Sequence, residues 1–289
     1  MPELELSAGV IDYVDTGGPG EPVVLVHGLG FDESVWDAVT EALRDEYRVL
    51  VPVLPLGSHR RPMRAGADLS PRGVARLLGE FLELLDLRGV TLVQNDAGTA
   101  QLLAADGDER IGRLVLTSCE ALTNYPPGVQ GKSLYWASKV PGGLFLLLQA
   151  FRVPALWRMP TALGGMAKRP IPAELVRRWY GPLLSSAAVR RDFYAFCRAT
   201  ERGLYVEAGE RLRSFDRPAL VVWGAEDRMM PAATGRRLAE LLPRGRYVEI
   251  PDARTLIPLD NPAALAAELR RFIAEHPDGD AAPPPLTPS

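Results

Sequence analysis

Short apolar runs alternate with amphipathic stretches along most of the chain. The apolar runs are rich in β-branched residues and predict strands at 10–15, 23–27, 47–51, 90–95, 114–118, 219–223 and 246–250. Between them, apolar residues recur every three or four positions and predict helices at 36–43, 71–85, 98–105, 234–242 and 263–274. This alternation is typical of a mostly parallel, twisted sheet with helices on both faces, so the predicted fold class is α/β.

One long segment departs from this alternation. Residues 123–213 show no strand pattern and hold most of the aromatic residues of the chain. We predict a helical cap here, inserted after the sixth strand between the core segments 1–122 and 214–276. A cap above the carboxyl edge of the sheet would form an apolar lid over a ligand site. The Pro-rich segment 277–289 is predicted to be disordered.

The overall charge gives no reason to expect a polyanionic partner. The formal net charge is -3 and the pI is about 5.8, whereas binding to nucleic acid or anionic membranes favours an excess of basic residues. We therefore expect a small-molecule substrate, no nucleic acid and no membrane partner, and either a monomer or a homodimer. The sequence shows no metal-ligand cluster, phosphate loop or dinucleotide fingerprint, so neither a metal nor a cofactor is predicted.

The two cysteines show no disulfide pattern, and the start of the chain shows no visible targeting signal. Cys119 ends an apolar run and Cys197 lies in an aromatic-rich helical stretch, so both are predicted to be buried free thiols. The chain begins Met-Pro-Glu-Leu-Glu-Leu, without the basic and apolar regions of a secretory signal. The expected location is the cytoplasm.

Three motifs fall at the ends of predicted strands. The segment 91–100, Thr-Leu-Val-Gln-Asn-Asp-Ala-Gly-Thr-Ala, places Asp96 where a strand turns sharply into a helix. The run His-Gly-Leu-Gly at 27–30 follows an earlier strand, and Gly-Ala-Glu-Asp at 224–227 follows a later one. In their order and spacing, these motifs resemble the α/β-hydrolase superfamily, whose nucleophile projects from such a strand-to-helix elbow.

An aspartate at the elbow resembles one branch of that superfamily, the haloalkane dehalogenases, fluoroacetate dehalogenases and epoxide hydrolases. The resemblance implies that Asp96 attacks carbon to form an ester, which an activated water molecule then hydrolyses. It also implies that the N–H groups of Leu29 and Ala97 form the oxyanion hole. The acid that supports the base would be Asp227 or, as in one group of haloalkane dehalogenases, Glu120.

The sequence departs from this branch at the base itself. In the segment 250–262, which matches the last catalytic loop of the family, Thr255 stands where the histidine belongs. Among the three histidines, His59 is the only candidate replacement, because it lies in a loop that leaves the sheet at the same edge as the elbow. Arg254 would instead pair with Asp96 and hold it ionised.

Further departures affect the leaving-group side. Ala97 replaces the tryptophan that helps to hold the halide, and Leu29 replaces an Asn or an aromatic residue. The run His-Gly-Leu-Gly also departs from the His-Gly-aromatic-Pro turn typical of epoxide hydrolases. Epoxide chemistry remains open, because Tyr125, Tyr135, Tyr180 or Tyr194 of the cap could activate an epoxide. The predicted substrate-binding residues are Tyr125, Tyr135, Tyr180 and Arg254. The resemblance covers about residues 5–125 and 215–275, while the cap does not align.

Three functions remain open at this point. The first is a hydrolase of the dehalogenase and epoxide hydrolase type, acting on a small, largely apolar substrate with atypical or slow turnover and with His59 or a cap residue as base. The second is a lyase, isomerase or cyclase in which Asp96 shuttles a proton. The third is a catalytically silent, ligand-binding protein. Fold alone does not separate them.

Overall fold

An eight-stranded sheet forms the centre of the protein. The computed structural model describes residues 1–277, so the Pro-rich segment beyond residue 277 lies outside the described residues. The strands are β1 (Glu3–Leu6), β2 (Gly9–Asp15), β3 (Pro22–Val26), β4 (Arg48–Pro52), β5 (Val90–Asp96), β6 (Ile111–Cys119), β7 (Ala219–Gly224) and β8 (Gly245–Ile250). Their order is β1-β2-β4-β3-β5-β6-β7-β8. The β1–β2 and β2–β4 pairs are antiparallel and the other pairs are parallel, which confirms the predicted sheet.

Two groups of helices accompany the sheet. The helices are α1 (Asp37–Leu43), α2 (Pro71–Leu84), α3 (Thr99–Ala105), α4 (Gly128–Lys139), α5 (Gly143–Gln149), α6 (Pro154–Trp157), α7 (Ala173–Ser185), α8 (Ala187–Ala199), α9 (Leu204–Arg211), α10 (Ala232–Leu241), α11 (Ile257–Asp260) and α12 (Pro262–Glu275). Helix α1 packs against α11 and α12, whereas α2, α3, α9 and α10 contact one another in turn. Polar caps begin the long helices: Ser70 Oγ accepts from Gly73 N–H at α2, and Asn261 Oδ1 accepts from Ala264 N–H at α12.

The predicted elements of the core are confirmed. Each predicted strand and helix is present, with its ends shifted by three residues or fewer. The edge strand β1 was not predicted, because four residues of Glu-Leu-Glu-Leu are too short a pattern to separate a strand from a loop. Cys119 and Cys197 are buried and free, as predicted.

The direction of the parallel strands brings the motifs together. Strands β5 and β6 are buried along their whole length, as expected for central strands with both faces covered. Because β3, β5, β6 and β7 point the same way, the residues that follow them lie along one edge of the sheet. The segments 27–30 and 224–227, together with Asp96 and Glu120, meet at this edge.

The helices α4 to α9 form an insertion between β6 and β7, within the range predicted for a cap. Polar contacts attach it to the core. Trp179 Nε1 donates to Asp32 Oδ1 (3.1 Å) and to Ser34 Oγ (2.9 Å), while Met63 N–H donates to Asp192 Oδ2 (2.7 Å). Within residues 1–277, we find no helix with the length and apolar character needed to cross a membrane.

Candidate active site

The turn after β5 holds Asp96 in the left-handed backbone region, with a φ of 69°. Helix α3 begins only three residues later, at Thr99. Such a sharp turn needs small neighbours. A Cβ atom at Gly28 would lie 2.4 Å from Asp96 Oδ2, and one at Gly98 would lie 2.3 Å from the Tyr205 ring. These two glycines therefore allow the neighbouring loop and ring to approach the carboxylate.

Two side chains of β5 stabilise the turn through hydrogen bonds. Gln94 Oε1 accepts hydrogen bonds from the N–H groups of Ala100 (2.7 Å) and Gln101 (3.1 Å), so it caps the amino end of α3. Asn95 Nδ2 donates to the carbonyl oxygen of Thr255 at 2.8 Å. The elbow is thus held by its own strand and is bonded directly to the loop that carries Thr255.

The carboxylate of Asp96 is held at one oxygen only. Leu29 N–H donates to Oδ2 at 3.1 Å, whereas the second predicted donor, Ala97 N–H, makes no hydrogen bond to this carboxylate. Burial raises the pKa of Asp96 from 3.8 to about 7; the negative charge of Asp227 adds to the rise and the Leu29 N–H opposes it. Oδ1 accepts no hydrogen bond from residues 1–277, so it is the oxygen available for chemistry.

Glu120 follows β6 directly beside the elbow. Its backbone N–H donates to the Asp96 carbonyl at 2.8 Å, and the buried Tyr205 hydroxyl donates to Glu120 Oε2 at 2.7 Å. Burial raises the pKa of Glu120 to about 8, with the charge of Asp96 adding to the rise and the Tyr205 hydrogen bond opposing it. Both buried carboxyl groups therefore have pKa values raised into the neutral range.

A cavity of about 330 Å³ lies above the elbow. Asp96, Glu120 and Tyr180 contribute polar groups to its wall. Most of the remaining wall is apolar and includes Leu134, Leu148, Phe151, Trp157, Met166 and Phe193. The Tyr180 ring stacks on Phe151 with 3.7 Å between the ring centroids, and burial raises the pKa of Tyr180. A cavity of this size and lining suits a small, largely apolar ligand.

A smaller recess of about 20 Å³ adjoins the cavity at Glu120 and Leu29. Its wall includes Tyr125, Tyr135, Cys197 and Thr200. Two of the predicted substrate-binding tyrosines, Tyr125 and Tyr135, therefore lie at the recess, while the third, Tyr180, lies in the main cavity. The recess has room for about one water molecule and offers several polar groups to it.

The position of the missing histidine holds a short, fully buried side chain. The Thr255 hydroxyl donates to Asp227 Oδ1 at 2.9 Å, and the N–H groups of Met229 and Met230 donate to the same oxygen, also at 2.9 Å. Asp227 Oδ2 has no hydrogen-bond partner among residues 1–277. Burial raises the pKa of Asp227 against these hydrogen bonds. Neither Thr255 nor Asp227 lines the cavity, so this side presents no base to a ligand.

Two predicted site residues lie elsewhere. His59 does not line the cavity; its Nε2 lies 3.3 Å from Asp192 Oδ2, where the insertion contacts the core. Arg254 Nη1 donates to the carbonyl oxygens of Gly164 (3.3 Å) and Ala167 (3.1 Å). These contacts correct the predictions that His59 replaces the base and that Arg254 pairs with the elbow aspartate, because both side chains hold neighbouring segments together.

Sequence reasoning did not identify Tyr205 or Gln94 as parts of the site. Tyr205 lies 85 residues from Glu120 along the chain, and no sequence pattern links the two. Gln94 did carry a signal. The first N–H groups of a helix have no partner within the helix, and a side-chain amide two positions before the elbow is close enough to accept hydrogen bonds from them. As to metals, residues 1–277 hold no group of three or more His, Cys, Asp or Glu side chains that is placed to bind an ion.

Comparison with known proteins finds relatives over most of the chain. The model of the alpha/beta hydrolase family matches residues 23–268. A non-heme chloroperoxidase from Kitasatospora aureofaciens is 30% identical over 248 residues, which cover 84% of this chain and 88% of the relative. A 2-hydroxy-6-oxononadienedioate/2-hydroxy-6-oxononatrienedioate hydrolase from Cupriavidus pinatubonensis is 28% identical over 242 residues, covering 80% and 79%. The structure of a haloalkane dehalogenase from Bradyrhizobium elkani shares the fold, with a TM-score of 0.75, 16% identity and coverage of 95% and 97%.

Proposed function

The chain belongs to the alpha/beta hydrolase family, and on this premise we propose that it is a hydrolase in which Asp96 attacks an electrophilic carbon of a small, largely apolar substrate. One observation carries the proposal: the Asp96 carboxylate lies in the cavity wall with Oδ2 bonded to Leu29 N–H and Oδ1 without a partner among residues 1–277. This arrangement supports Oδ1 as the nucleophile and Oδ2 as the carbonyl oxygen of the ester that forms.

The Leu29 N–H would act twice. In the free protein it favours the ionised form of Asp96, which the attack requires. When water later attacks the ester at Asp96 Cγ, negative charge develops on Oδ2, and the same N–H stabilises it. The overall reaction restores the carboxylate, with one oxygen of the product taken from Asp96 in the first turnover.

Glu120 supplies the proton transfers that the missing histidine leaves open. With a pKa of about 8, the neutral carboxyl group donates its proton to the oxygen that leaves when Asp96 opens an epoxide. Once Asp96 is a neutral ester, its charge no longer raises the pKa of Glu120, so Glu120 ionises more readily. The carboxylate then takes a proton from water, for which the adjoining recess offers a position.

This sequence of steps favours epoxides over haloalkanes as substrates. An alkoxide needs a proton, and Glu120 and the Tyr180 hydroxyl both lie in the cavity wall as donors. A departing halide needs N–H donors instead, and Ala97 stands in place of the tryptophan after the aspartate. Turnover would be slow, because Glu120 must serve as base without an imidazole partner.

Intact-protein mass spectrometry tests the proposal. Incubation with small apolar epoxides should add the whole mass of the epoxide to the wild-type protein, and Asp96→Asn should abolish the adduct. Asp216→Asn, the same change at an exposed aspartate, serves as the matched control and should form the adduct normally. A haloalkane panel gives adducts lacking the halide and allows the two electrophile classes to be ranked.

A single turnover in H₂¹⁸O adds a second readout. If Asp96 is the nucleophile, the isotope enters the Asp96 carboxylate and the first product molecule carries none from solvent. If the first product contains the isotope, and neither the wild type nor Asp216→Asn forms an adduct, nucleophilic attack by Asp96 is contradicted.

A second function is favoured by the raised pKa values of both carboxyl groups, about 7 for Asp96 and about 8 for Glu120. Two groups that exchange protons near neutral pH inside an apolar cavity suit a lyase, isomerase or cyclase that forms no ester. Exchange of substrate hydrogen with deuterated solvent, without an adduct and dependent on Asp96, would support this alternative. Ligand binding with neither exchange nor adduct would point to a catalytically silent protein.

A further inference from the structure

Most of the large apolar side chains exposed in residues 1–277 lie in one short part of the insertion. Eight of the eleven are Val129, Trp136, Val140, Phe145, Leu146, Val153, Leu156 and Met159, here called the insertion surface. The exposed fraction reaches 71% at Leu146 and 58% at Trp136. Single exposed apolar residues are common, but a concentration of this kind marks a surface that contacts another apolar body.

The elements that carry the insertion surface are joined in space as well as in sequence. Helix α4 contacts α5, and a 3-10 turn at Ala150–Arg152 contacts both α5 and α6. Helices α5 and α6 are short, with seven and four residues, and they bury only part of their apolar side chains against the core. The exposed apolar side chains are therefore those that the packing of the insertion against the core leaves uncovered.

The charge of the same region is strongly one-sided. No Asp or Glu occurs between Glu120 and Glu174, whereas six Lys and Arg residues do. Lys168 and Arg169 form ion pairs with carboxylates of the core. The other four, Lys132, Lys139, Arg152 and Arg158, are exposed, and none pairs with a carboxylate in the part of the chain that the structure describes.

Two neighbouring arginines extend this charge. Arg202 lies 5.5 Å from the Trp136 ring centroid, and the carbonyl of Arg198 accepts from Lys139 Nζ at 3.0 Å. Neither guanidinium forms an ion pair with residues 1–277. Six cations without an ion pair to the described residues therefore lie in or beside the part of the insertion that carries the exposed apolar residues.

A second copy of the chain is a poor occupant for this surface. Pairing two copies through it would bring unpaired cations close together without a carboxylate to compensate them, which costs free energy. An anionic lipid bilayer fits both properties at once. Its acyl chains accept the apolar side chains and its phosphates attract lysine and arginine, each contributing about 1 kcal/mol near the surface.

We propose that the insertion surface binds the face of an anionic lipid bilayer, with Trp136, Phe145 and Leu146 entering the interface and the unpaired cations contacting lipid phosphates. The expectation of no membrane partner was based on a net charge of -3, which averages the acidic core with this acid-free segment. The protein would lie on the bilayer without crossing it.

The cavity reaches this same surface. Val129 and Leu156 line the cavity and are exposed by 53% and 43%. An apolar substrate dissolved in the bilayer would therefore enter the site without passing through water. This delivery step rests on the proposed function, whereas binding to the bilayer does not.

Vesicle flotation tests the proposal with the full chain. The protein should float with vesicles of phosphatidylcholine and phosphatidylglycerol, but not with phosphatidylcholine alone, and added salt should weaken binding. The double variant Lys132→Gln/Arg158→Gln should bind about 30-fold more weakly. Leu146→Ser should bind about tenfold more weakly, because the leucine no longer enters the interface.

Matched controls lie in the core, outside the insertion. Leu84→Ser and Arg44→Gln/Arg88→Gln change an exposed leucine and two exposed cations of the core, and both should bind as the wild type does. Asp96→Asn should also bind normally, so loss of catalysis and loss of bilayer binding are separable. The proposal would be overturned if the wild type does not bind anionic vesicles or if all variants bind them equally. It would also be overturned if the protein forms a concentration-dependent dimer that Leu146→Ser abolishes and does not bind vesicles.

Discussion

The two sides of the Asp96 carboxylate differ in what they offer to a reaction. On the side of β3 and β6, Leu29 N–H holds one carboxylate oxygen and Glu120 lies in the cavity wall with a pKa of about 8. On the side of the loop after β8, Thr255 and Asp227 bond to each other and neither reaches the cavity. Under the proposed function, the first side would provide the attack and the proton transfer, while the second presents no base to a ligand.

This difference separates the requirements of two chemical steps, formation of the ester and its hydrolysis. Forming an ester on Asp96 needs an ionised, oriented carboxylate and a stabilised leaving group. Hydrolysing the ester needs a base that activates water, which typically contributes 10²–10⁴-fold. Under the proposed function, the groups for the first requirement are present and only Glu120 would meet the second, so the ester is expected to accumulate.

Restoring the base should have the largest effect. Thr255→His should accelerate hydrolysis of the Asp96 ester by about 10²–10⁴-fold, because an imidazole there could donate to the unpaired Asp227 Oδ2 and activate water with its other nitrogen. The rate is measured by mass spectrometry as the decay of the isolated adduct.

Thr255→Phe is the matched control, since it adds a ring of similar size without a basic nitrogen. Both variants overpack a buried position and should lose about 1–3 kcal/mol of unfolding free energy, so thermal unfolding is recorded first. Equal decay of the adduct in the two folded variants would contradict the assignment of position 255 as the lost base.

Removing the remaining proton-transfer group should have the next largest effect. Glu120→Gln should slow ester hydrolysis by about 10²-fold with any substrate, because no carboxylate then activates water. Ester formation should slow with an epoxide, whose oxygen needs a proton, but stay unchanged with a haloalkane, which needs none. Rapid-quench measurement of the two steps separates these outcomes, and an equal loss with both electrophiles would show that Glu120 acts through structure alone.

The buried charge at the elbow should also appear in the stability of the protein. Because folding raises the pKa of Asp96 from 3.8 to about 7, the folded state holds a proton that the unfolded state releases, and the free energy of unfolding falls as pH rises through this range. Asp96→Asn removes this dependence. The variant should therefore gain about 2–4 kcal/mol relative to wild type on going from pH 4 to pH 8, as measured by urea unfolding at both values. If the difference in unfolding free energy between Asp96→Asn and the wild type is the same at both pH values, folding does not raise the pKa of Asp96.

The smallest expected effect belongs to a positioning residue. Tyr205 donates to Glu120 Oε2 and opposes the rise of the Glu120 pKa to about 8. Tyr205→Phe keeps the ring against Gly98 but removes the hydroxyl, so the pKa of Glu120 rises further and less of it is ionised. Hydrolysis at pH 7 should slow by roughly 3–10-fold, and the pH profile should move to higher pH. A slower rate with an unchanged profile would indicate a purely structural role.

Local patterns in the sequence were enough for the elements of the core and for the sharp turn at Asp96. Apolar runs and helical spacing identify these elements because the same apolar residues are buried in the folded protein. The turn at Asp96 is predictable because a strand pattern is followed by a helix pattern with almost no residues between them. The partnership of Glu120 with Tyr205 and the remote position of His59 depend on how the insertion packs, which involves contacts between distant segments. The same limit applies to β1, since its four residues acquire strand geometry only by pairing with β2.

The hydrogen bond from Asn95 to the carbonyl oxygen of Thr255 has an evolutionary consequence. It holds the backbone of the loop at this position, and a backbone carbonyl is present whichever side chain residue 255 carries. The loop therefore keeps this attachment when that side chain changes, so a single substitution at residue 255 could add or remove a base while the loop stays bonded to the elbow strand.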